Sequence, residues 1–166
     1  MKFRDALQDD LPIIVDIYNS TVAGRMVTAD TEPVAVASRQ QWFDEHTANK
    51  HPLWIVEDDA KNIIGWVSFQ PFYGRPAYDG TAEISIYLHP LQRGKGYGKQ
   101  ILQYCIDNAY KLEINILLGF IFAHNTLSLQ LFSKLGFEEW GHLKKIARLD
   151  GIERSVKILG KRLTAV

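Results

Sequence analysis

The stretch Arg93-Gly94-Lys95-Gly96-Tyr97-Gly98-Lys99 constrains the chain most, because it lies between an apolar, strand-like run (Thr81 to Leu88) and an amphipathic helix beginning near Gly98. Glycines remove the Cβ atoms that keep backbone N–H groups away from a ligand, and a helix start adds unpaired amides and the positive end of its dipole. Strand, glycine turn and helix in that order form a cradle for anionic oxygens. A Walker A loop has a longer gap between its glycines and a Ser or Thr after its lysine; here three residues separate Gly94 from Gly98, and Gln100 follows Lys99. A dinucleotide fingerprint needs G-x-G-x-x-G and an acidic residue ending the next strand, and the chain supplies neither.

What remains is Arg/Gln-x-x-Gly-x-Gly/Ala, met by Arg93, Gly96 and Gly98. This resembles the acyl-CoA pyrophosphate loop of the GNAT superfamily of N-acetyltransferases. The segment from His124 to Phe137, with Asn125, then Ser128 three residues on, then a helix closing in Gly136-Phe137, resembles the second GNAT motif. Further residues resemble the phosphinothricin acetyltransferase-like branch: Tyr18-Asn19, Trp42-Phe43, Pro71-Phe72 with Arg75 and Tyr78, and Glu83-x-Ser85-x-Tyr87. The resemblance spans residues 3 to 145. Beyond it the branch usually carries a Lys-Phe-Gly-Arg-Trp-like segment, where this chain has Ile146-Ala147-Arg148-Leu149-Asp150-Gly151.

With 166 residues, 46% of them hydrophobic, the chain can bury a core without metals or disulfides, and one GNAT-like domain over 1–166 is expected. Lys plus Arg and Asp plus Glu both number 19, so no overall field favours nucleic acid or an anionic membrane. Cys105 is the single cysteine and sits on an apolar helical stripe, which suits the core. The five histidines show no metal-ligand spacing, and no metal is expected. The start lacks a long apolar region and no run approaches membrane-spanning length, so a cytoplasmic protein is the expectation.

The pattern predicts a short strand over Phe3–Ala6 and a helix after Pro12 with a stripe of Leu11, Ile14, Val15, Tyr18 and Val22. A polar loop over 23–35 could cover a pocket, and a second helix is predicted from Val36 or Ser38 through Glu45. A hairpin joins Leu53–Glu57 to Ile63–Phe72; a strand over Thr81–Leu88, a helix carrying Ile101, Leu102 and Cys105, and a strand over Ile116–Ala123 form a crossover unit. Asn125 opens a fourth helix, and Asp150-Gly151 turns a last hairpin between Phe137–Leu149 and Ile152–Leu159. The class is mixed α/β. The resemblance implies a mostly antiparallel central sheet with flanking helices and splayed central strands.

Alternation puts Glu83, Ser85 and Tyr87 on one face of their strand. Partial burial would raise the Glu83 pKa, which suits a base taking a proton from an ammonium, directly or through water; a structural ion pair is the other reading. The resemblance implies that backbone groups of Ile86, Tyr87 and Leu88 contact the acyl-pantetheine arm, the Leu88 N–H holding the developing oxyanion. It further puts Arg93, Gly94, Lys95, Gly96, Tyr97, Gly98 and Lys99 on the pyrophosphate, Asn125 on pantetheine, Ser128 near the sulfur and Lys134 at the nucleotide end. Outside the motif Asn125 would read as an N-cap and Ser128 as a surface hydroxyl. Many members of the family use a tyrosine as general acid where this chain has Phe132, so water or Ser128 would protonate the thiolate. A thiol of pKa about 8.5 leaves tolerably without prior protonation. Arg75 and Tyr78, with Glu32 and Thr31 from the covering loop, are the candidate substrate contacts, since a guanidinium binds carboxylate well.

The resemblance therefore implies an acetyl-CoA-dependent N-acetyltransferase, acting by direct attack on a small primary amine. The acceptor expected is an amino acid or a toxic analogue of the phosphinothricin or methionine sulfoximine type, and a homodimer is implied. A protein N-terminal or lysine acetyltransferase is the alternative enzyme; an acyl-CoA-binding sensor is the noncatalytic one.

Overall fold

Side-chain alternation along each strand sorts the sheet into two faces, and each face collects the helices that cover it. The computed structural model describes residues 1–163. In chain order it contains β1 (Lys2–Asp5), α1 (Leu11–Asn19), α2 (Gln40–Asp44), β2 (Leu53–Glu57), β3 (Ile63–Pro71), β4 (Thr81–Leu88), α3 (Tyr97–Asn108), β5 (Ile116–Phe122), α4 (Thr126–Lys134), β6 (Glu138–Leu149) and β7 (Ile152–Arg162). The seven-stranded sheet runs β1-β2-β3-β4-β5-β7-β6, antiparallel everywhere except at β4 and β5, which are parallel. Among the described residues no helix is long and apolar enough to cross a membrane.

One face buries Val67, Phe69, Ala82 and Ile84 against Ile101, Leu102 and Cys105 of α3 and Phe132 of α4. The opposite face packs Leu53, Ile55 and Trp66 against Ile14 and Ile17 of α1, with Trp42 and Phe43 of α2 at its edge. Each such aliphatic side chain stabilises the fold by about 1.5–3 kcal/mol through removal from water. Cys105 is fully buried and its thiol is pushed up by that burial, so it packs as an inert apolar group.

The second predicted helix divides in two. Val36–Arg39 is a 3-10 turn and only Gln40–Asp44 is α-helical. Ser38 Oγ donates to the Ala35 carbonyl at 2.6 Å, a local bond that competes with helix propagation. The last hairpin turns on Asp150 (φ 49°) and Gly151 (φ 78°), the two left-handed residues that a tight primed turn requires.

The feature that positions the site is the incomplete pairing of β4 with β5. Their ladder covers Thr81–Ile116, Ala82–Leu117 and Glu83–Leu118 and then stops, while β5 continues along β7 to Phe122. On the other side β4 stays paired with β3 as far as Leu88–Gly65. The strands therefore part beyond Glu83, at the carboxyl end of β4.

Candidate active site

The parting strands leave a cleft of about 180 Å³, lined by Ile86 and Leu88 of β4, Gly119 and Ile121 of β5, and Asn125, Ser128 and Phe132 of α4. Which β4 amides reach it follows from the ladder. Phe72 N donates to Thr81 O at 3.3 Å and His89 N to Ile64 O at 2.8 Å, and antiparallel bonding recurs at every second residue. The backbone of Glu83, Ser85 and Tyr87 is thus committed to β3, and that of Ile84, Ile86 and Leu88 turns to the side where β5 has departed. Two of the three residues implied for the acyl arm, Ile86 and Leu88, present main-chain N–H groups there with no ladder partner. Tyr87 does not, because its main chain bonds Trp66; only its side chain is available.

Below the cleft, Gly94 (φ 74°) and Gly96 (φ 82°) occupy left-handed conformations, and a Cβ at either would meet nothing within 4 Å. The space in front of the loop is open. Gly96 is the N-cap of α3, and the first intrahelical bond is Gln100 N to Gly96 O at 3.5 Å, so the amides of Tyr97, Gly98 and Lys99 are without intrahelical partners. Arg93 donates through Nε to Leu88 O at 3.2 Å and through a terminal nitrogen to Ser20 Oγ at 2.6 Å, tying the loop to β4 and α1. Lys95 Nζ bonds Gln92 Oε1 at 3.0 Å. Asn125 is buried and caps α4, its side chain accepting from Ser128 N at 3.2 Å and donating to Met26 O at 3.0 Å. Lys134 lies in the last turn of α4 and lines none of these cavities. The open glycine turn, the partner-free amides and the adjoining cleft fit a phosphate chain followed by an extended acyl arm.

A second cavity of about 200 Å³ lies on the α1 side of β4 and shares Ser85 and Tyr87 with the cleft. Register sets its floor: Trp66 faces Tyr87, Ser68 faces Ser85 and Gln70 faces Glu83. Trp66 and Tyr87 stack with centroids 4.4 Å apart, Tyr18 leans on Tyr87 at 5.3 Å, and Val34 of the covering loop closes one wall. Among the described residues Glu83 has no side-chain hydrogen bond and no ion pair, and burial raises its pKa. Asp30, Arg39 and the Tyr18 hydroxyl, which also meets Thr28, form a cluster at the rim.

His46 supports the floor from behind. Its Nδ1 lies 2.8 Å from the Trp42 carbonyl, which can only accept, so Nδ1 carries the proton and Nε2 accepts from the Ser68 hydroxyl at 2.8 Å. Burial lowers the His46 pKa and favours this neutral form. Ser68, 1% exposed, therefore directs lone pairs rather than its proton toward the remaining space.

The structure does not bring every candidate together. Arg75 and Tyr78 line a separate cavity with His51, Phe72 and Asp79, so within one chain they do not share the enclosure of Glu83. Glu32 is exposed in the covering loop and lines neither cavity. Conversely, Arg39, Ser68 and Gln70 belong to the Glu83 cavity without having been singled out. A signal for the last two exists in the alternation of Trp66, Ser68 and Gln70 through an otherwise apolar strand.

The raised Glu83 pKa has a stability consequence. An acid whose folded-state pKa exceeds its unfolded value contributes stability below the unfolded pKa and loses it as pH rises through the folded one. Glu83→Gln should therefore melt at a higher temperature than wild type at pH 7–8, with the difference closing near pH 4. Thermal unfolding at the two pH values checks this, and a constant difference would mean that Glu83 ionises as freely folded as unfolded.

Comparison with known proteins agrees with this arrangement. Residues 14–137 match the acetyltransferase (GNAT) family model. The chain is 51% identical to YwnH of Bacillus subtilis (strain 168), provisionally named a phosphinothricin acetyltransferase, over 99% of this chain and 100% of that protein. It is 35% identical to the L-methionine sulfoximine/L-methionine sulfone acetyltransferase of Pseudomonas aeruginosa, covering 89% of this chain and 86% of the relative. Its fold superposes with a TM-score of 0.88 on a phosphinothricin acetyltransferase from Sinorhizobium meliloti solved with acetyl-CoA, at 30% identity over 98% of this chain and 88% of that one. The parted strands, the glycine turn and the family match lead to one conclusion: the chain belongs to the GNAT family of acetyl-CoA-dependent N-acetyltransferases.

Proposed function

We propose that the protein transfers an acetyl group from acetyl-CoA to the primary amine of a small amino-acid-like molecule, of the methionine sulfoximine or phosphinothricin type. The observation that carries the proposal is the junction of the two cavities at Ser85 and Tyr87, with a half-buried carboxylate that has no partner among the described residues in one and free β4 amides in the other. Glu83 takes the proton from the acceptor's ammonium, freeing the lone pair that attacks the thioester carbonyl. The Leu88 N–H polarises that carbonyl and holds the charge that develops on its oxygen. As the C–S bond breaks, the acylated nitrogen sheds its second proton to Ser128 or a water it orients, and that group passes a proton on to the leaving thiolate, the role a tyrosine would fill where Phe132 stands. Backbone amides from Gly94 to Lys99 and the α3 dipole hold the pyrophosphate, with Arg93 bracing the loop. Ile86, the Tyr87 ring and Asn125 guide the acyl arm, and Lys134 is kept for the nucleotide end.

Arg75, Tyr78 and Glu32 are assigned to the acceptor's outer approach. The small cavity, walled on one side by Val34 of the covering loop, favours a small amine over a polypeptide. We further propose one domain over 1–166, a homodimer and a cytoplasmic location, on the family resemblance.

The test is release of free thiol from acetyl-CoA across a panel of small amines and short peptides. Turnover of small amino acids supports the proposal. Release with peptides alone would replace it with a protein acetyltransferase, and the absence of release with every amine tested would leave an acyl-CoA sensor.

A further inference from the structure

The Glu83 cavity is electrically two-ended. Among its lining side chains Glu83 is the acid and Arg39 the base, while the remainder are apolar, aromatic or neutral polar. Arg39 is the last residue of the 3-10 turn and the N-cap of α2, so its backbone is fixed by two short elements. Its guanidinium carbon stands 4.7 Å above the Tyr18 ring, which holds the plane of the group. One terminal nitrogen donates to Asp30 Oδ2 at 2.7 Å. A guanidinium carries five donors in a planar fork, and among the described residues Arg39 makes no other hydrogen bond. The ion pair with Asp30 orients the fork without filling it.

The other end of the cavity is arranged for an ammonium. Glu83 offers a carboxylate, and the His46–Ser68 bond leaves the Ser68 oxygen as an acceptor. A molecule carrying both a cation and an anion matches this layout, and an amine without an anion leaves the Arg39 fork unanswered.

We infer that Arg39 is the specificity-determining residue of the acceptor site, binding the carboxylate of an amino-acid acceptor in bidentate geometry so that the amine is delivered to Glu83. This rests on the proposed acetylation of small amines and names the group by which the acceptor is chosen. It also moves that role from Arg75, whose cavity is separate. A fixed, partly shielded guanidinium is suited to this task because bidentate carboxylate binding constrains orientation as well as charge.

The experiment measures KM for methionine sulfone and for the amine that lacks only its carboxylate, 3-(methylsulfonyl)propylamine, in wild type, Arg39→Gln, Arg39→Lys and Arg75→Ala. Arg39→Gln should raise KM for methionine sulfone about tenfold to hundredfold, the range for losing a charge-assisted pair, and leave KM for the propylamine nearly unchanged. Arg39→Lys, which keeps the charge and loses the fork, should fall between, and it serves alone if the glutamine variant does not fold. Arg75→Ala should move both KM values in parallel. Equal shifts for the two amines in the Arg39 variants, or carboxylate selectivity lost in Arg75→Ala alone, would overturn the inference. If wild type acetylates neither amine, the parent proposal fails separately; calorimetry of methionine sulfone binding to the acetyl-CoA-loaded protein then decides Arg39. Binding lost in its variants sustains the inference, and no binding to wild type, or equal binding to all, ends it.

Discussion

Replacing Glu83 with glutamine is expected to lower kcat by about a hundredfold or more at neutral pH, the range for loss of a positioned general base, while acetyl-CoA affinity stays within about twofold. The amide keeps the size of the side chain and removes only its ability to take a proton. The deficit should shrink as pH rises, because the acceptor then arrives already deprotonated. In wild type the acid limb of the rate profile should report protonation of Glu83 and lie above the ordinary carboxylate range, since burial without a compensating cation raises its pKa. Turnover equal to wild type at neutral pH would reduce Glu83 to a structural role.

Gly96→Val should weaken acetyl-CoA binding about tenfold to hundredfold, measured by calorimetry on a folded variant. Two effects act together. At φ 82° a β-branched side chain is strained, so the loop shifts from its present path, and the new Cβ enters space that is now open to a ligand. The strain costs stability on the order of 1–3 kcal/mol, so folding is confirmed first by circular dichroism. Gly96→Ala, with a smaller group under the same backbone demand, should show a weaker form of the defect. An unchanged dissociation constant in folded Gly96→Val would remove the glycine turn from donor binding.

The parts of this site legible in the sequence are those that depend on local periodicity. Glu83, Ser85 and Tyr87 share a face because strands alternate, and Gly94 to Gly98 make a turn because glycines cluster before a helix. Contacts made across the fold were not legible. Ser68 meets His46 from 22 positions away, and Arg39 reaches Asp30 and Tyr18 only after the loop between them has folded back over α1. The direction of the Tyr87 main chain was hidden for a related reason: alternation assigns side chains to faces, but only the β3 register shows which amides are already used. Arg75 lies near Glu83 in sequence yet in another cavity, because the Pro76–Tyr78 turn carries its loop away before β4 begins.

The parted ladder between β4 and β5 has a consequence for how long the protein survives. Past Glu83 no ladder bonds join β4 to β5, so the amides of Ile86 and Leu88 should exchange hydrogen rapidly in free protein and slowly once acetyl-CoA lies between the strands. A ligand bound only by the folded state adds about 2.7 kcal/mol at a concentration one hundred times its dissociation constant. Melting temperature and resistance to proteolysis should therefore rise with donor supply, so that starvation for acetyl groups would shorten the enzyme's lifetime as well as idle it.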